Sequence, residues 1–424
     1  MANTISFDAG KTAQQLYAER SQRLLDAMEL RQPDRVPIQL TISYMLAEMG
    51  GITKQELLEN PAKAQELLEK AALEFQPDTI FGTLPSDPRP HLLLGDRMTR
   101  WPGHGLDVNA EFQFAESEFM KADDYDDFLE DPADWGVRVY LPRAFADLEG
   151  FALLPPLGMT LFGTYNIFGA GALTAPPIWA SFQAYAKAAQ IVAADNEVSA
   201  RNAARMAALG FPSGFVNGAI IEAPFDFMSD TLRGLRGIML DVLRHPDKLL
   251  AAEEKVSRFQ LKYAMDFARA TGIKRAFIPL HRGSDGFLSL AQFERFYWPQ
   301  LKAMMLTLID NGIVPAVFYE GIWDQRLKYL TQLPRGKSAG WFQRSDIFKV
   351  KEAVGGTMCI MGGMPNSMLQ GGTVSQVREW TKRVCKTVGK GGGFIMSTGV
   401  GEMSGSKPDL VKAWVEATRE YGVY

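Results

Sequence analysis

The last third of the chain repeats one pattern five times: a short apolar run ends in polar or glycine-rich residues, and an amphipathic stretch follows. The runs are RAFIPLHRGSDG (275–286), VPAVFYEG (314–321), SAGWFQ (338–343), TMCIMGGMPN (357–366) and GGFIMSTGVGEM (392–403). The intervening stretches, such as LAQFERFYWPQLKAMMLTLIDNG, place apolar residues at helical spacing. Repeated strand, loop and helix predict a parallel sheet covered by helices, in a barrel or a doubly wound fold.

Three further strand candidates lie near residues 36, 78 and 213 and bring the predicted number to eight. We therefore predict a (β/α)8 TIM-type barrel. Residues 85–180, rich in Pro, Gly, Asp and aromatic residues, are predicted to be a long elaboration between the second and third strands, with a strand of their own near 151–157. No repeat or linker marks a second domain, so residues 1–424 are predicted to form a single domain. The predicted helices upstream of the repeated pattern span residues 10–31, 53–76, 181–209 and 230–271.

Polar side chains directly after the predicted strands are candidates for a common site, because the carboxyl ends of barrel strands open onto one face. They are His281, Arg282, Asp285, Tyr319, Glu320, Asn366, Ser397 and Glu402. In HRGSDG, His281 can supply a proton, Arg282 can hold an anion and Asp285 can orient the imidazole. The alternative is that His281 caps a helix while Arg282 and Asp285 pair structurally.

Two neighbouring residues of the YEG segment carry further alternatives. Glu320 is a candidate metal ligand or general base, and the alternative is a salt bridge with Arg282. Tyr319 is a candidate hydrogen-bond donor to a substrate oxygen. The glycines of GGMPN and STGVGEM shape tight turns, and Glu402 in the latter is either a metal ligand or a solvated loop carboxylate.

Composition narrows the class of partner. The chain has 424 residues, 46% of them hydrophobic, which is ample for a large core, and a formal net charge of -4. No block of Lys and Arg and no long apolar span is present, so neither nucleic acid nor membrane is expected as a partner. The beginning of the chain does not have the pattern of a secretion signal, and a cytoplasmic location is expected. Two cysteines exclude a disulfide scaffold.

Several segments together resemble the uroporphyrinogen decarboxylase superfamily. They are DRVPIQL, IIEAPFD, GGMPNSMLQGGTVSQVREWTKR and GGGFIMSTGVG with the closing KPDLVKAWVEATREYG. The resemblance implies a (β/α)8 barrel with a deep opening, and it places Glu222 and Phe225 in the substrate wall. The alternative for Glu222 is a buried carboxyl satisfied by backbone amides. Trp341 and Asn366 are further candidates for contact with the substrate.

Departures from the family pattern separate its two branches. The decarboxylases carry arginines after the first strand, whereas residues 36–53 here contain none, which disfavours a substrate with many carboxylates. The zinc methyltransferases carry His-x-Cys-Gly where this chain has Phe318 to Gly321, and a second Cys where it has Val400. The resemblance then implies, in place of a thiolate site, a harder one in which His281 and Glu320, with Glu402 or Glu222, bind zinc or another divalent metal.

The chain therefore resembles the corrinoid-dependent methyltransferase branch. The expected activity is transfer of a methyl group from a small methoxylated or methylamine-type compound to a cobalamin carried by a separate corrinoid protein. A lyase or decarboxylase acting on a small carboxylic acid without a metal is the alternative, with Arg282 on the carboxylate and His281 as the acid. A binding protein without catalysis is a third reading. The oligomeric state is left open, with a homodimer as one arrangement.

Overall fold

Eight parallel strands organise the chain. The computed structural model describes residue 8 and residues 10–82, 87–161 and 166–424. The strands, numbered in chain order, are β1 Gln39–Thr41, β2 Thr79–Phe81, β3 Ala219–Ile220, β4 Arg275–Leu280, β5 Val314–Tyr319, β6 Ala339–Phe342, β7 Cys359–Met364 and β8 Phe394–Thr398. All eight lie where the sequence predicts a strand, although β3 is only two residues long.

The strands are arranged as a sheet of six and a separate pair. β3 to β8 pair in sequential order and in parallel, and β1 pairs with β2. A parallel bridge between Ile38 and Met396 links the start of β1 to β8. Between β2 and β3 the described residues form no ladder, and contact is made by Thr79 Oγ1, which donates to Pro212 O at 2.7 Å. The predicted α/β fold with a parallel sheet is confirmed.

Helices precede, connect and cover the strands. The α-helices are Ala13–Met28, Met45–Gly50, Lys54–Glu59, Pro61–Phe75, Arg89–Leu94, Tyr125–Glu130, Pro132–Trp135, Leu141–Ala144, Leu157–Leu161, Pro176–Ala208, Pro224–Asp226, Gly234–Arg244, Pro246–Thr271, Leu290–Gln292, Trp298–Asp310, Leu327–Leu330, Ile347–Val354, Asn366–Gly371, Val374–Thr387 and Pro408–Tyr421. The 3₁₀ segments are Ala122–Asp124, Ala146–Leu153 and Asn166–Thr174, and the π-helical segments are Gly136–Tyr140, Phe227–Arg233 and Phe293–Tyr297.

The predicted helix over residues 53–76 is two helices. The capping box predicted from Thr53 and Glu56 is present at the start of the first. Asn60 ends that helix and caps the next one by accepting from Lys63 N at 3.0 Å. Pro61 has no backbone N–H to continue the first helix but suits the first position of the second, so the break falls here.

The strand predicted near residues 151–157 is wrong. A 3₁₀ helix, Ala146–Leu153, lies there instead. Leu148 and Phe151 are three residues apart, which places them on one face of a helix with three residues per turn. Both are buried, and they share a hydrophobic cluster with Ile178 of the long helix Pro176–Ala208. The elaboration also carries a small sheet of Thr99–Pro102, Gly105–Leu106 and Gln113–Phe114.

A buried ion-pair network lies at the amino ends of β1 and β2. Asp78 is fully buried and accepts from Arg35 Nη1 at 2.7 Å, from Ile38 N at 2.8 Å and from Arg23 Nη1. Arg23 also binds Asp34 at 2.6 Å. Burial alone would raise the pKa of Asp78, but Arg35 and Arg23 outweigh it and lower that pKa to about 2. The network therefore carries its charges at neutral pH.

Candidate functional site

A cavity of about 660 Å³ opens at the carboxyl ends of β4 and β5. His281 and Arg282 follow β4, Glu320 follows β5, and all three line the cavity. The volume is in the range usual for small-molecule sites. Opposite walls come from Phe114 and Glu116 of the elaboration and from Glu222 and Asp230 near the Pro224–Asp226 helix; the other lining residues are Thr231, Pro279, Ser284, Phe287, Gly321 and Gln343. The strand ends thus bring together residues far apart in sequence.

Asp226 fixes the backbone of His281 and Arg282. Its buried carboxylate accepts from His281 N and from Arg282 N, each at 2.9 Å, and from Tyr297 Oη at 2.6 Å. Burial raises the pKa of Asp226, and the charge of His281 opposes that rise. Three donors on one buried carboxylate hold the turn after β4 in a single conformation.

His281 lies between two carboxylates. Its Nδ1 hydrogen-bonds Asp230, and its Nε2 lies 3.4 Å from Glu320 Oε1. Burial lowers the pKa of His281, but Asp230 and Glu320 outweigh it and raise that pKa to about 11. The side chain is 32% exposed, and it faces the cavity as an imidazolium at neutral pH.

Arg282 is engaged on three sides. Its Nη2 lies 2.7 Å from Asp230 Oδ1 and 3.3 Å from Glu116 Oε2, and its Nε donates to Ser229 Oγ at 3.0 Å. The predicted salt bridge from Glu320 to Arg282 does not form, because Glu320 faces His281 and the other two carboxylates occupy the guanidinium.

Two further carboxyls lie at or behind the cavity. Burial, with the charge of Asp230 second, raises the pKa of Glu222 to about 7, and the charge of His281 opposes it. Glu222 Oε2 has no hydrogen-bond partner in the described part of the chain. Glu253, on the Pro246–Thr271 helix, is fully buried, and burial raises its pKa well above the usual range. Burial therefore favours the protonated form of both carboxyls relative to an exposed glutamate.

The turn after Glu320 requires glycine. Gly321 has a φ of +73°, its N–H donates to Gln343 Oε1 at 2.6 Å, and an added Cβ would lie 2.9 Å from Ser284 Cβ. We expect Gly321→Ala to destabilise the fold by about 1–3 kcal/mol, because strain at positive φ adds to the collision. Denaturant unfolding measures this. Gly286→Ala is the matched control, since a Cβ there meets nothing within 4 Å; equal losses in both variants would contradict the expectation.

Two other residues predicted for the site, Asp285 and Tyr319, make their contacts elsewhere and do not touch His281. Asp285 accepts from the buried Arg326 at 2.7 Å and from Gln325 N at 3.1 Å, so it supports a loop and does not orient His281. Tyr319 is fully buried and stacks on Phe342, and its hydroxyl has no partner among the described residues.

The two aromatic residues predicted to contact the substrate, Phe225 and Trp341, are also buried. Phe225 is buried against Tyr297, and Trp341 is buried against Phe318 with its Nε1 donating to Thr398 O at 2.8 Å. Ser397 is likewise buried. None of Phe225, Trp341 and Ser397 lines the cavity beside His281.

Of the predicted metal ligands, His281 and Glu320 face each other and share the cavity with the alternative ligand Glu222, whereas Glu402 does not line that cavity. Glu402 accepts from Tyr44 N at 3.1 Å and from Ser404 N, and Asn366 Nδ2 donates to Glu402 O. Both ring nitrogens of His281 face carboxylates, Nδ1 that of Asp230 and Nε2 that of Glu320. In residues 10–82, 87–161 and 166–424 no group of three His, Cys, Asp or Glu side chains is arranged to hold an ion. The set of His281, Glu320 and Glu402 is therefore not assembled in the described residues, and metal binding stays a prediction.

Sequence reasoning missed the two aspartates that organise the site. Glu222, Asp226 and Asp230 follow β3 at intervals of four residues, a spacing that places side chains on one side of a helix. That pattern was the available signal. No sequence signal pointed to Glu116, because its place in the cavity wall depends on how the elaboration folds back onto the sheet.

The described residues thus combine a parallel α/β fold with a cluster of acidic and cationic side chains at the carboxyl ends of its strands, where enzymes of parallel α/β folds place their sites. The model of the uroporphyrinogen decarboxylase (URO-D) family matches residues 173–421. The match covers more than half of the chain, and the chain therefore belongs to the URO-D family, as its segments predicted.

Comparison with known structures agrees with this fold. A methyltransferase from Methanosarcina mazei matches with a TM-score of 0.58 and 16% identity, over 95% of this chain and 98% of that one. No curated protein matches the sequence. Among the described helices, none is both long and apolar enough to cross a bilayer.

Proposed function

We propose that the protein is a methyltransferase that removes a methyl group from the oxygen or nitrogen of a small methoxylated or methylamine-type compound. The acceptor is the cobalamin of a separate corrinoid protein. The observation that carries the proposal is the imidazolium of His281, held between Asp230 and Glu320 on the wall of a cavity that also contains Glu222. Membership of the URO-D family and the fold shared with a methyltransferase support it.

The chemistry demands stabilisation of the leaving atom. A reduced corrinoid supplies the electron pair that takes the methyl group. The bond from carbon to oxygen or nitrogen breaks, the heteroatom keeps that bond's electrons, and it must gain a proton. His281 stabilises the negative charge as it develops on the heteroatom, and Glu222, whose pKa is about 7, supplies the proton. Water returns a proton to Glu222 before the next cycle.

The decarboxylase alternative is less well supported by the geometry. It needs Arg282 to hold a substrate carboxylate, whereas Nη2 of Arg282 already faces Asp230 and Glu116 and its Nε donates to Ser229 Oγ. The cavity wall also carries the anionic groups Glu116, Asp230 and Glu320, which disfavour an added carboxylate next to them. A neutral or cationic methyl donor avoids that repulsion.

The direct test mixes the purified protein with a reduced corrinoid protein and panels of methyl ethers and methylamines. We expect the absorption spectrum of a methylated corrinoid to form with at least one donor, and to form far more slowly with the His281→Gln variant. Release of carbon dioxide from small carboxylic acids, without corrinoid methylation from any donor, would instead support the lyase.

The pH dependence of methyl transfer tests the role of Glu222. Because its neutral form is the donor, we expect kcat to fall as the pH rises through about 7. Glu222→Gln keeps the size of the side chain but removes the proton, so this variant should be slow and lack that fall. Glu130→Gln, an exposed change outside the cavity, is the control. An unchanged pH profile in Glu222→Gln would exclude Glu222 as the acid.

A further inference from the structure

A second cavity, of about 570 Å³, lies beside the first at the ends of β6, β7 and β8. Gln343 lines both cavities, and its Oε1 accepts from Gly321 N next to Glu320. Nothing in the proposed methyl transfer uses this second cavity. Because the two cavities share Gln343, a ligand longer than the methyl-bearing group would extend from the first cavity into the second.

The charged groups of the second cavity favour an anion. Arg344 and Arg383 line it, and neither forms an ion pair within the described ranges of the chain. The guanidinium of Arg383 lies 4.3 Å from the ring centre of Phe348, which holds it over an apolar wall. Asp346 is the acidic residue of the lining, and its Oδ1 caps the Ile347–Val354 helix by accepting from Phe348 N at 2.9 Å and Lys349 N at 3.4 Å.

Neutral donors and close backbone approaches complete the cavity. Ser345 Oγ accepts from Trp323 N at 2.8 Å, which leaves its own hydroxyl hydrogen free to point at a ligand. Gly363, with a φ of +100°, and Gly399, where an added Cβ would lie 2.5 Å from Gln343 O, bring the three loops close together. In eight-stranded parallel α/β folds, the loops after the seventh and eighth strands often hold a phosphate.

We propose that this second cavity is an oxyanion subsite in which Arg344 and Arg383 hold the phosphate or carboxylate end of an elongated substrate. Planar guanidinium groups recognise both oxyanions through paired hydrogen bonds. The apolar wall of Phe348, Met364 and Trp380 lies beside the carbon skeleton next to the anion. The assignment to the substrate rests on the proposed methyl transfer, whereas the anion site itself does not.

Equilibrium titration of the full chain with inorganic phosphate, at constant ionic strength and without corrinoid, tests the anion site. We expect saturable binding, followed by the change in intrinsic tryptophan fluorescence, to which Trp380 in the cavity wall contributes. Arg344→Gln and Arg383→Gln should each weaken it about tenfold or more, because each removes a charge-assisted contact. Arg244→Gln, at an exposed arginine without an ion pair among the described residues, should leave it unchanged. No saturation, or equal affinity in all three variants, would overturn the proposal whatever the outcome of the methyl-transfer assay.

Competition identifies the source of the oxyanion. Methoxylated carboxylates of increasing length, each matched with its uncharged amide, are added to the phosphate-bound protein. We expect carboxylates long enough to reach past Gln343 to displace phosphate, and the amides to leave it bound. Phosphate binding that no carboxylate displaces would overturn the assignment to a substrate tail. Arg383→Lys, which keeps the charge but loses the planar fork, should bind phosphate more weakly than the native chain while unfolding at the same denaturant concentration.

Discussion

His281→Gln is expected to lower kcat for methyl transfer about 100-fold to 1000-fold, because one charge aimed at the leaving atom contributes that much in comparable sites. KM should change little, since the charge on the heteroatom develops only as the bond breaks. His104→Gln is the matched control, because His104 pairs with Glu59 at the surface. A variant with kcat near that of the native chain would remove His281 from the mechanism.

Asp230→Asn separates the electrostatic role of His281 from a structural one. In the native protein the pKa of His281 is raised to about 11, so its ion pairs stabilise the fold fully below the unfolded pKa of about 6.5 and that contribution is lost as the pH approaches 11. Loss of Asp230 should lower the pKa of His281, and with it the pH at which this contribution to stability is lost. Proton NMR of the imidazole measures the shift; an unshifted titration would contradict the ion-pair argument.

Asp78→Asn is expected to reduce the free energy of unfolding by about 3–5 kcal/mol, because the change leaves Arg23 and Arg35 buried without their shared anion. Arg23 is 6% exposed and Arg35 8% exposed, so water cannot replace the lost carboxylate. Denaturant unfolding gives the value. Asp126→Asn removes the surface pair with Lys248 and should cost no more than about 1 kcal/mol. Similar losses in both variants would show that the buried network contributes little.

The same ion-pair network also limits the stability of the fold at low pH. The pKa of Asp78 is lowered to about 2, so its contribution is present above the unfolded pKa of about 3.9 and is lost as the pH falls towards 2. Acid titration of stability should show this loss in the native chain and not in Asp78→Asn. An identical acid dependence in the two proteins would assign the acid limit to other groups.

The strands and several loops of the site were predictable because their signals are local. Buried parallel strands read as apolar runs, and strand ends mark polar loops, which placed His281, Arg282 and Glu320 together. Glu222 was added through the family resemblance. The partner of His281 was not predictable in this way: Asp285 is four residues away in sequence, but the structure uses Asp230, from the segment after β3. The choice between them depends on packing of whole elements, which single-sequence spacing does not encode.

Glu402 shows the opposite failure. Its position on a glycine-rich loop after β8 suited a metal ligand, yet its carboxylate binds the amides of Tyr44 and Ser404. Those amides carry no signature in the sequence, because every residue except proline has one. A loop carboxylate can therefore be fully engaged in hydrogen bonds to nearby backbone N–H groups, which leaves it unavailable to a ligand.

Glu116 joins the elaboration to the part of the chain that matches the URO-D family. It accepts from Arg282 Nη2 at 3.3 Å and from Leu235 N, both inside the span that matches the URO-D family, while Glu116 itself lies outside that span at residue 116. His281, Arg282, Asp230 and Glu222 thus lie within the matched span, and part of the facing wall comes from outside it. A change in that wall would alter the shape of the cavity without replacing any of these four side chains.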